Sequence, residues 1–454
     1  MRRRIQVRVK NCTLYGCFVS AEQPSVSKAA FAAYAARKIA MKFMKKFFAI
    51  LLSALMLTLT MAGCGDEEGE KSMPLEWIDD PQSYEDYMNN AKITSLTQLG
   101  NTYRLKNAIE KAKNGEDVNI VYLGGSITEG DILELEERYA KRSYNYFRDK
   151  FGKGDGENVH YFNAGYRGTG SILGALRCED DVLANEPDIV FIEYAVNDGG
   201  EIADKDGFES VIRRCLEYDT KPAVVLLFAR MQEGWSSQDW KKEIGEYYDL
   251  PMISYADGIT YLMDNGAMTW EEFSGDYTHP NANGGEIIAE FINYFFDEVD
   301  RLDGDESDIT LPEPMYDGNY ANAHLLTKNS YEHTDEAEGS WRTGSTGDHF
   351  PNGWTKQFSE DNEPQVFEFT GKNAFVIYPN AGNNTFGTLV CEVYFNDELV
   401  ATKEFNEYSE GGWMSATIGE LYISDTVGDY RVEFTAKDDN PKCDLQVLAV
   451  AYTD

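Results

Sequence analysis

A serine and a histidine–aspartate pair are the residues of this sequence best suited to chemistry. Ser126 follows two glycines at the end of an apolar run, and Asp276 stands three residues before His279. An acid at this spacing can curl back and hold the Nδ1–H of the histidine, which leaves Nε2 free to take a proton from a serine hydroxyl. Such a pair could activate a serine for acyl transfer, although the Gly-Gly-Ser turn at Ser126 is equally typical of a structural strand-to-helix turn.

Two further motifs could stabilise the oxyanion that such a reaction forms. The segment 163–170 holds Gly165, Gly168 and Gly170, and glycines permit the tight backbone that presents an N–H to an oxyanion. Asn197 follows another apolar run, and its side-chain amide could donate to the same oxygen. Taken singly, each motif is equally typical of a structural turn or loop, and a lone histidine is typical of a protein surface.

Together the four motifs resemble those of the SGNH (GDSL-type) hydrolase superfamily, which is named for a Ser, a Gly, an Asn and a His. The resemblance covers about residues 118–295. It implies that Ser126 is the nucleophile and His279 the general base, with Asp276 orienting the histidine. It also implies an oxyanion hole formed by the N–H groups of Ser126 and Gly168 and the side chain of Asn197. Gly165 is an alternative to Gly168. The first block reads Gly-Gly-Ser-Ile-Thr instead of Gly-Asp-Ser-Leu, and the third has an alanine where glycine is usual, but neither change removes a catalytic atom.

Apolar strands that alternate with amphipathic helices must position these motifs. We predict strands at residues 118–123, 159–162, 189–194, 223–228 and 252–255, and helices at 132–151, 172–185, 206–218, 240–248 and 286–299. Strands that are apolar along their whole length and alternate with helices indicate a parallel sheet covered on both faces. We therefore expect residues 101–303 to form a three-layer α/β/α sandwich of the flavodoxin-like type, with the motifs at the carboxyl ends of its strands.

The pattern changes after the last of these helices. Residues 304–318 are acidic and contain two prolines, which is typical of a linker. Beyond them, short runs alternate between apolar and polar residues, and we expect residues 319–454 to form an all-β sandwich of jelly-roll type. Trp341, Trp354 and Trp413 in this part are candidates either for stacking on sugar rings or for core packing.

The first 63 residues are typical of a bacterial lipoprotein leader. Two lysines precede an apolar run at 47–61 that is too short to span a bilayer, and Ala-Gly precedes Cys64. This ending resembles the lipobox, whose cysteine is lipidated and becomes the first residue of the mature chain. We expect 41–63 to be the signal peptide, 1–40 to precede the true start, and 64–100 to be a tether and lead-in. The resemblance implies a protein outside the cytoplasm, held at the cell membrane by the lipid on Cys64.

The charge of the chain limits the classes of molecule that it can bind. The formal net charge is −37, and the leader holds eleven of the Lys and Arg residues but only one acid, so the remainder is more acidic still. Such a surface repels nucleic acid and anionic lipid headgroups and suits a neutral or cationic substrate, although it would also serve solubility alone. We expect no nucleic-acid partner, and membrane association only through the lipid anchor. The sequence has no Cys or His spacing typical of a metal site and no phosphate-binding loop, so we predict no metal and no cofactor.

Four cysteines lie beyond Cys64. Cys178 and Cys215 fall in the predicted α/β part, and Cys391 and Cys443 fall in the predicted β part. One disulfide in each part would fit an exported protein, and free buried thiols fit equally.

The resemblance implies a serine esterase that hydrolyses O-acyl groups, chiefly O-acetyl groups, on polysaccharides. An exported enzyme at the cell surface with an added β-sandwich resembles the carbohydrate esterases of this superfamily. Two other functions fit the same fold. A lipase, lysophospholipase or thioesterase would need an apolar groove for its acyl chain, and a non-catalytic glycan-binding lipoprotein would keep its function after Ser126→Ala.

Overall fold

The computed structural model of the protein describes residues 73–454, apart from 306, 328–340, 344–348, 351–352, 358–361, 439 and 441. The predicted leader, the predicted lipidation site Cys64 and the start of the predicted tether lie outside the described residues. Within the part of the chain that the structure describes, no helix is both long enough and apolar enough to cross a bilayer.

A six-stranded sheet forms the centre of the α/β region. Its strands are β1 (Leu96–Gln98), β2 (Val118–Gly124), β3 (Val159–Gly165), β4 (Ile189–Glu193), β5 (Ala223–Phe228) and β6 (Met252–Ser254). They lie in the order β1-β6-β5-β4-β2-β3, and all neighbours are parallel except the edge strand β1, which runs antiparallel to β6. Strands β4 and β5 are buried along their whole length, as expected for strands covered on both faces. The predicted, mainly parallel α/β sheet is confirmed.

Helices cover both faces of this sheet. In chain order they are α1 (Tyr84–Ser95), α2 (Tyr103–Asn114), α3 (Ser126–Glu129), α4 (Tyr139–Phe151), α5 (Ser171–Leu176), α6 (Cys178–Asp181), α7 (Ile202–Glu217), α8 (Gln238–Tyr247), α9 (Tyr255–Asp264), α10 (Trp270–Phe273) and α11 (Ala282–Arg301). Helices α1, α2, α4, α9 and α11 pack on one another, and α5, α7 and α8 form a second group. Strand β3 lies on one side of β2, whereas β4, β5 and β6 follow one another on its other side. With right-handed crossovers, this reversal of direction puts the two groups of helices on opposite faces of the sheet.

Two predicted helices differ from those observed. The helix predicted at 132–151 begins only at Tyr139, because the chain first makes a turn closed by a hydrogen bond from the Leu133 N–H to the Gly130 carbonyl. The helix predicted at 172–185 is divided into α5 and α6, since the backbone at Arg177 leaves the helical region between them.

The α/β region begins before the predicted boundary at residue 101. Helix α1 and strand β1 lie in the predicted lead-in, and Leu96 pairs with Ile253 at the edge of the sheet. Helix α1 starts with a capping box, in which the Ser83 hydroxyl accepts from the Asp86 N–H and the Asp86 carboxylate accepts from the Ser83 N–H. A strand of three residues has too little alternation to be predicted from sequence.

The second region consists of antiparallel sheets. Its strands are β7 (Ala323–Leu326), β8 (Arg342–Thr343), β9 (Trp354–Lys356), β10 (Gln365–Gly371), β11 (Ala374–Ala381), β12 (Thr388–Phe395), β13 (Glu398–Asn406), β14 (Trp413–Tyr422), β15 (Gly428–Ala436), β16 (Leu445–Val447) and β17 (Ala449–Thr453). Two sheets have four strands, in the orders β10-β15-β12-β13 and β14-β11-β17-β7. Apolar side chains of both, among them Phe367, Val376 and Val432, share one core, so the two sheets pack as a sandwich. The predicted all-β second part is confirmed.

The sheet β14-β11-β17-β7 is buried on both faces. Val376 belongs to the core of the sandwich, whereas its neighbours Phe375 and Ile377 belong to the core of the α/β region. The predicted linker also packs, since the buried Glu209 carboxylate accepts hydrogen bonds from backbone N–H groups at 315 and 316. All described residues accordingly fall in one compact unit, Lys71–Asp454.

Candidate active site

Ser126 opens helix α3 directly after strand β2, at the carboxyl edge of the sheet. The two glycines before it are required by close packing. A side chain at Gly124 would meet Thr128 Oγ1 at 2.2 Å, and a side chain at Gly125 would meet Asn197 Oδ1 at 2.4 Å. The Gly-Gly-Ser turn therefore lets the end of β2 approach the segment that follows β4.

Ser126, His279 and Asp276 form a continuous chain of hydrogen bonds. Nε2 of His279 lies 2.9 Å from Ser126 Oγ, and Nδ1 of His279 lies 2.8 Å from Asp276 Oδ2. Because an ionised carboxylate only accepts hydrogen bonds, Nδ1 carries the proton and Nε2 faces the serine hydroxyl as acceptor. A histidine in this position can take a proton from the serine.

The loop that carries His279 is held in place by its own hydrogen bonds. Asp276 Oδ1 accepts from the backbone N–H groups of Thr278 and His279, both at 2.7 Å. The Ser274 hydroxyl donates to the His279 carbonyl at 2.6 Å, and the Trp270 indole N–H donates to the Asp276 carbonyl at 2.6 Å. Partial burial opposes ionisation of Asp276, but the hydrogen bonds from His279 and Thr278 outweigh it and lower the pKa of this carboxyl. Asp276 is therefore charged beside the imidazole.

Asn197 and the segment 165–170 flank Ser126, because β2 lies between β4 and β3 in the sheet. The amide of Asn197 lies against Gly125. Its Oδ1 is buried and has no hydrogen-bond partner among the residues that the structure describes. An amide held at this position can donate to an oxyanion formed by attack of Ser126.

The structure distinguishes between the two glycines that the sequence left as alternatives. Gly165 is buried within β3, and its N–H donates to Asn163 Oδ1 at 2.8 Å. Gly168 is exposed, with a φ of +70° that favours glycine, and within the described part of the chain its N–H has no hydrogen-bond acceptor. Gly168 is therefore the one of the two whose N–H is open to a ligand.

A buried ion pair lies behind these groups, and sequence reasoning missed it. The side chains of Asp198 and Lys241 are 1% and 0% exposed, and their charged groups lie 2.5 Å apart. Asp198 Oδ1 also accepts from the Ser171 N–H at 2.8 Å, so one carboxylate joins the end of β4 to the start of α5. The Lys241 ammonium lies over the rings of Trp240 and Phe208, 3.8 and 4.0 Å from their centroids. Burial lowers the pKa of Lys241, and Asp198 opposes this shift.

Arg177 and Glu193 are two more buried charged residues beneath the site. Arg177 is 1% exposed, and its Nη2 donates to the Ala164 carbonyl near the end of β3 at 2.6 Å. Glu193 ends β4 and is fully buried; burial raises its pKa to about 7, although a hydrogen bond from the Ala195 N–H opposes the shift. Glu193 is a single charge within an apolar run, and this signal could have found it. Arg177 is closely followed by three acidic residues at 179–181, so its charge does not stand out in the sequence. Lys241 gave no such signal, because it lies in a helix rich in charged residues.

Of the three tryptophans considered for sugar stacking, only Trp413 lies at this edge of the molecule. It begins β14 and is 51% exposed, and a side chain on Gly168 would come within 2.6 Å of its ring. Trp341 and Trp354 are buried in the core of the sandwich. The core interpretation is therefore correct for two of them, whereas Trp413 borders the candidate oxyanion segment.

His349 is a second residue of the β region at this edge. Its ring stacks on that of Tyr166, with the centroids 3.9 Å apart and the planes at 25°. Its Nε2 lies 3.6 Å from a carboxylate oxygen of Glu129, which is on the same short helix as Ser126. The β region thus contacts both the helix and the loop that border Ser126.

The described cysteines are free buried thiols. The Sγ atoms of Cys178 and Cys215 lie 3.9 Å apart without a disulfide, and Cys391 and Cys443 are also unpaired. Among the residues that the structure describes, no group of three or more His, Cys, Asp or Glu side chains could hold a metal ion.

Comparison with known proteins agrees with this geometry. Residues 122–287 match the GDSL-like lipase/acylhydrolase family. The structure is also similar to the crystal structure of a two-domain esterase active on acetylated mannans, co-crystallised with mannopentaose, at 25% sequence identity and a TM-score of 0.68. A second crystal structure of a two-domain esterase active on acetylated mannans gives 25% identity and a TM-score of 0.69. Both comparisons cover 80% of this chain and 98% of the other. No curated protein sequence gives a significant match.

Residues 122–287 therefore form a GDSL-like acylhydrolase domain, which supports an esterase of the SGNH type, and the predicted resemblance to carbohydrate esterases is confirmed. The matched range includes Ser126, Asp276 and His279 and the candidate oxyanion donors, whereas His349 and Trp413 lie outside it. The structural similarity extends over both the α/β and the β region, since it covers 80% of the chain.

Proposed function

We propose that the protein is a cell-surface serine esterase that removes O-acetyl groups from polysaccharides. The observation that carries the catalytic part is the hydrogen-bond chain from Ser126 through His279 to Asp276, with separations of 2.9 and 2.8 Å. These three hydrogen-bonded side chains lie at the carboxyl edge of a parallel sheet, where open α/β folds bind their ligands.

In the first half of the reaction, Ser126 Oγ attacks the carbonyl carbon of the ester while His279 Nε2 takes its proton. The charge that develops on the carbonyl oxygen is met by the N–H groups of Ser126 and Gly168 and by the amide of Asn197. Asp276 remains ionised and stabilises the imidazolium. The sugar hydroxyl leaves with the proton returned from Nε2, and the acetyl group stays on Ser126.

In the second half, His279 Nε2 takes a proton from a water molecule, which attacks the acetyl carbonyl. The same three donors hold the second oxyanion. The bond to Ser126 Oγ then breaks, the serine regains its proton from His279, and acetate is released. Two steps of moderate barrier replace one difficult hydrolysis.

A polysaccharide substrate is supported by the rim of the site and by the charge of the chain. The structurally similar two-domain esterases are active on acetylated mannans. Trp413 offers an exposed aromatic face beside Gly168, where the sugar that bears the ester would lie. A net charge of −37 suits an uncharged glycan better than a polyanion.

The location at the cell surface is supported by the leader and by the lipobox-like Ala-Gly before Cys64. We expect the activity to stay with the membrane fraction of the cells. Cys64→Ala should release it, and incorporation of a labelled fatty acid into the unaltered chain, but not into the variant, measures the anchor directly.

The function is tested by acetate release from acetylated mannan, xylan and other acetylated glycans. We expect release from at least one of them, and we expect Ser126→Ala to lower kcat by a factor of about 10⁴ or more while the fold is retained. Ser210→Ala is a matched control, because this buried serine lies on α7 and, among the described residues, its hydroxyl makes a single contact, 3.4 Å from Asp206. Full turnover by the Ser126→Ala protein would overturn the proposal.

A further inference from the structure

A small apolar pocket opens beside the nucleophile. Ser126 and His279 both line it, together with Ile132, Leu133 and Pro280. Its enclosed part amounts to about 10 Å³, and its volume rises to about 290 Å³ when the open space at the mouth is included. Of the candidate oxyanion donors, only Ser126 borders it, so a group in the pocket would point away from the position of the oxyanion.

The volume of the pocket decides which part of an ester can enter. A cavity needs on the order of 10–15 Å³ to hold one water molecule, and a methyl group is of similar size. The enclosed part is too small for a sugar ring or for a chain of several methylenes, which would have to remain at the open mouth. Of the two parts that flank an ester carbonyl, only a short acyl group can occupy this pocket.

We propose that this pocket binds the acyl group and restricts the enzyme to acetyl esters, with Ile132 and Leu133 as the residues that determine acyl length. The inference rests on the proposed function, since it assigns the acyl side of the same reaction. It also separates this enzyme from the lipases and thioesterases of the same fold, which need room for a long chain.

The wall formed by residues 130–138 is fixed in position. Arg138 donates from Nη1 to the Glu129 carbonyl at 2.8 Å and from Nε to the Leu133 carbonyl at 3.2 Å. Helix α11 packs closely behind the same segment, because a side chain on Gly285 would lie 2.3 Å from the Glu137 carbonyl. The wall therefore cannot retreat to admit a longer acyl chain without breaking these contacts.

The lining of the pocket is poorly suited to form hydrogen bonds with a polar acyl group. The Tyr139 ring lines it, but the hydroxyl of this residue is engaged by Thr128 Oγ1 at 2.8 Å. Ile127 is 5% exposed and contributes another apolar surface. An uncharged methyl group is suited to this lining.

The experiment compares kcat/KM for p-nitrophenyl acetate, butyrate and octanoate. We expect the unaltered enzyme to prefer acetate, and we expect Leu133→Ala and Ile132→Ala to raise the butyrate-to-acetate ratio by about tenfold or more, the range that one or two methylenes give in an apolar pocket. Ile202→Ala is the matched control. Ile202 is 66% exposed at the start of α7, compared with 60% for Ile132, and does not line the pocket.

The outcomes are distinguishable from a failure of the proposed function. If the unaltered enzyme shows no Ser126-dependent hydrolysis of any ester, both the function and this inference are wrong. If it cleaves acetyl esters but both variants leave the butyrate-to-acetate ratio within twofold, only the pocket is wrongly assigned. The pocket is also wrongly assigned if the variants change KM for an acetylated glycan without changing that ratio, because it would then hold part of the alcohol.

Discussion

The α/β region and the β region both reach the edge of the sheet where Ser126 lies, but they bring different kinds of side chain to it. The α/β region supplies the serine, the histidine and the aspartate, and it backs them with buried charges such as Asp198 and Lys241. The β region supplies rings, namely Trp413 beside Gly168 and His349 on Tyr166.

Under the proposed function, this difference means that bond breaking and glycan binding would depend on separate parts of one site. Groups that polarise a carbonyl have to be held in place by buried hydrogen bonds. A ring that stacks on a sugar has to stay open to solvent, as Trp413 is. A change in the α/β region should therefore alter kcat on every ester, and a change in the β region should alter KM on glycans alone.

Lys241→Met should have the largest effect among the changes that test this comparison. It leaves Asp198 buried without its cation, and Asp198 holds the Ser171 N–H and so joins the two loops that flank Ser126. We expect kcat to fall by about 10- to 100-fold, equivalent to ~1.4–2.7 kcal/mol in the barrier, on both p-nitrophenyl acetate and acetylated glycan. KM should stay within about twofold, as steady-state kinetics would measure.

The paired variant Asp198→Asn/Lys241→Met separates positioning from charge balance. The introduced asparagine is neutral, so the buried charge is removed, and its amide oxygen can still accept from the Ser171 N–H. We expect this variant to regain thermal stability and most of kcat. A Lys241→Met protein that is folded and retains full kcat would contradict the positioning role.

Trp413→Ala should have a smaller effect and should act on glycans alone. Losing the exposed ring removes a stacking surface, so we expect KM for acetylated mannan to rise about tenfold, or ~1.4 kcal/mol. Hydrolysis of p-nitrophenyl acetate should change by less than about twofold. Leu399→Ala, another exposed apolar residue of the β region, is the control. An equal loss on both substrates would mean that Trp413 supports the Gly168 loop and does not bind sugar.

A last effect concerns the stability of the fold and its dependence on pH, and not catalysis. In the unfolded chain Glu193 ionises near 4.5, whereas burial keeps it protonated up to about pH 7 in the folded protein. The folded state thus holds the extra proton between these values, and its stability falls as pH rises from about 4.5 to about 7. Glu193→Gln removes this contribution.

Denaturant unfolding at pH 5 and pH 8 measures the difference. We expect the stability of the Glu193→Gln protein relative to the unaltered one to rise by an amount on the order of 3 kcal/mol at most between these pH values. The glutamine oxygen can still accept from the Ala195 N–H. A difference that does not depend on pH would show that Glu193 is ionised in the folded protein.

Much of the fold could be predicted because the sheet is buried on both faces. Strands such as β5 are apolar at every position, and the observed bounds Ala223–Phe228 agree with the prediction. Strand β1 could not be predicted, since three residues carry no periodicity and its place depends on pairing with β6. Likewise, no feature of the neighbouring sequence indicates that the helix predicted from residue 132 begins only at Tyr139.

The part of the site that lies in short motifs could be predicted, and the part that depends on packing could not. Asp276 and His279 are three residues apart, so their contact is a local property. Lys241 meets Asp198 across 43 residues of sequence, and only the folded sheet brings them together. The position of Trp413 beside Gly168 likewise results from the docking of one region on the other.

The sheet β14-β11-β17-β7 has apolar side chains on both of its faces, with Val376 on one and Phe375 and Ile377 on the other. A binding module on a flexible tether can be cut away or exchanged for another during evolution or engineering. Here such an exchange would uncover an apolar surface of the catalytic half and invite aggregation. Under the proposed function, substitutions around Trp413 would change the choice of glycan while this surface stays covered.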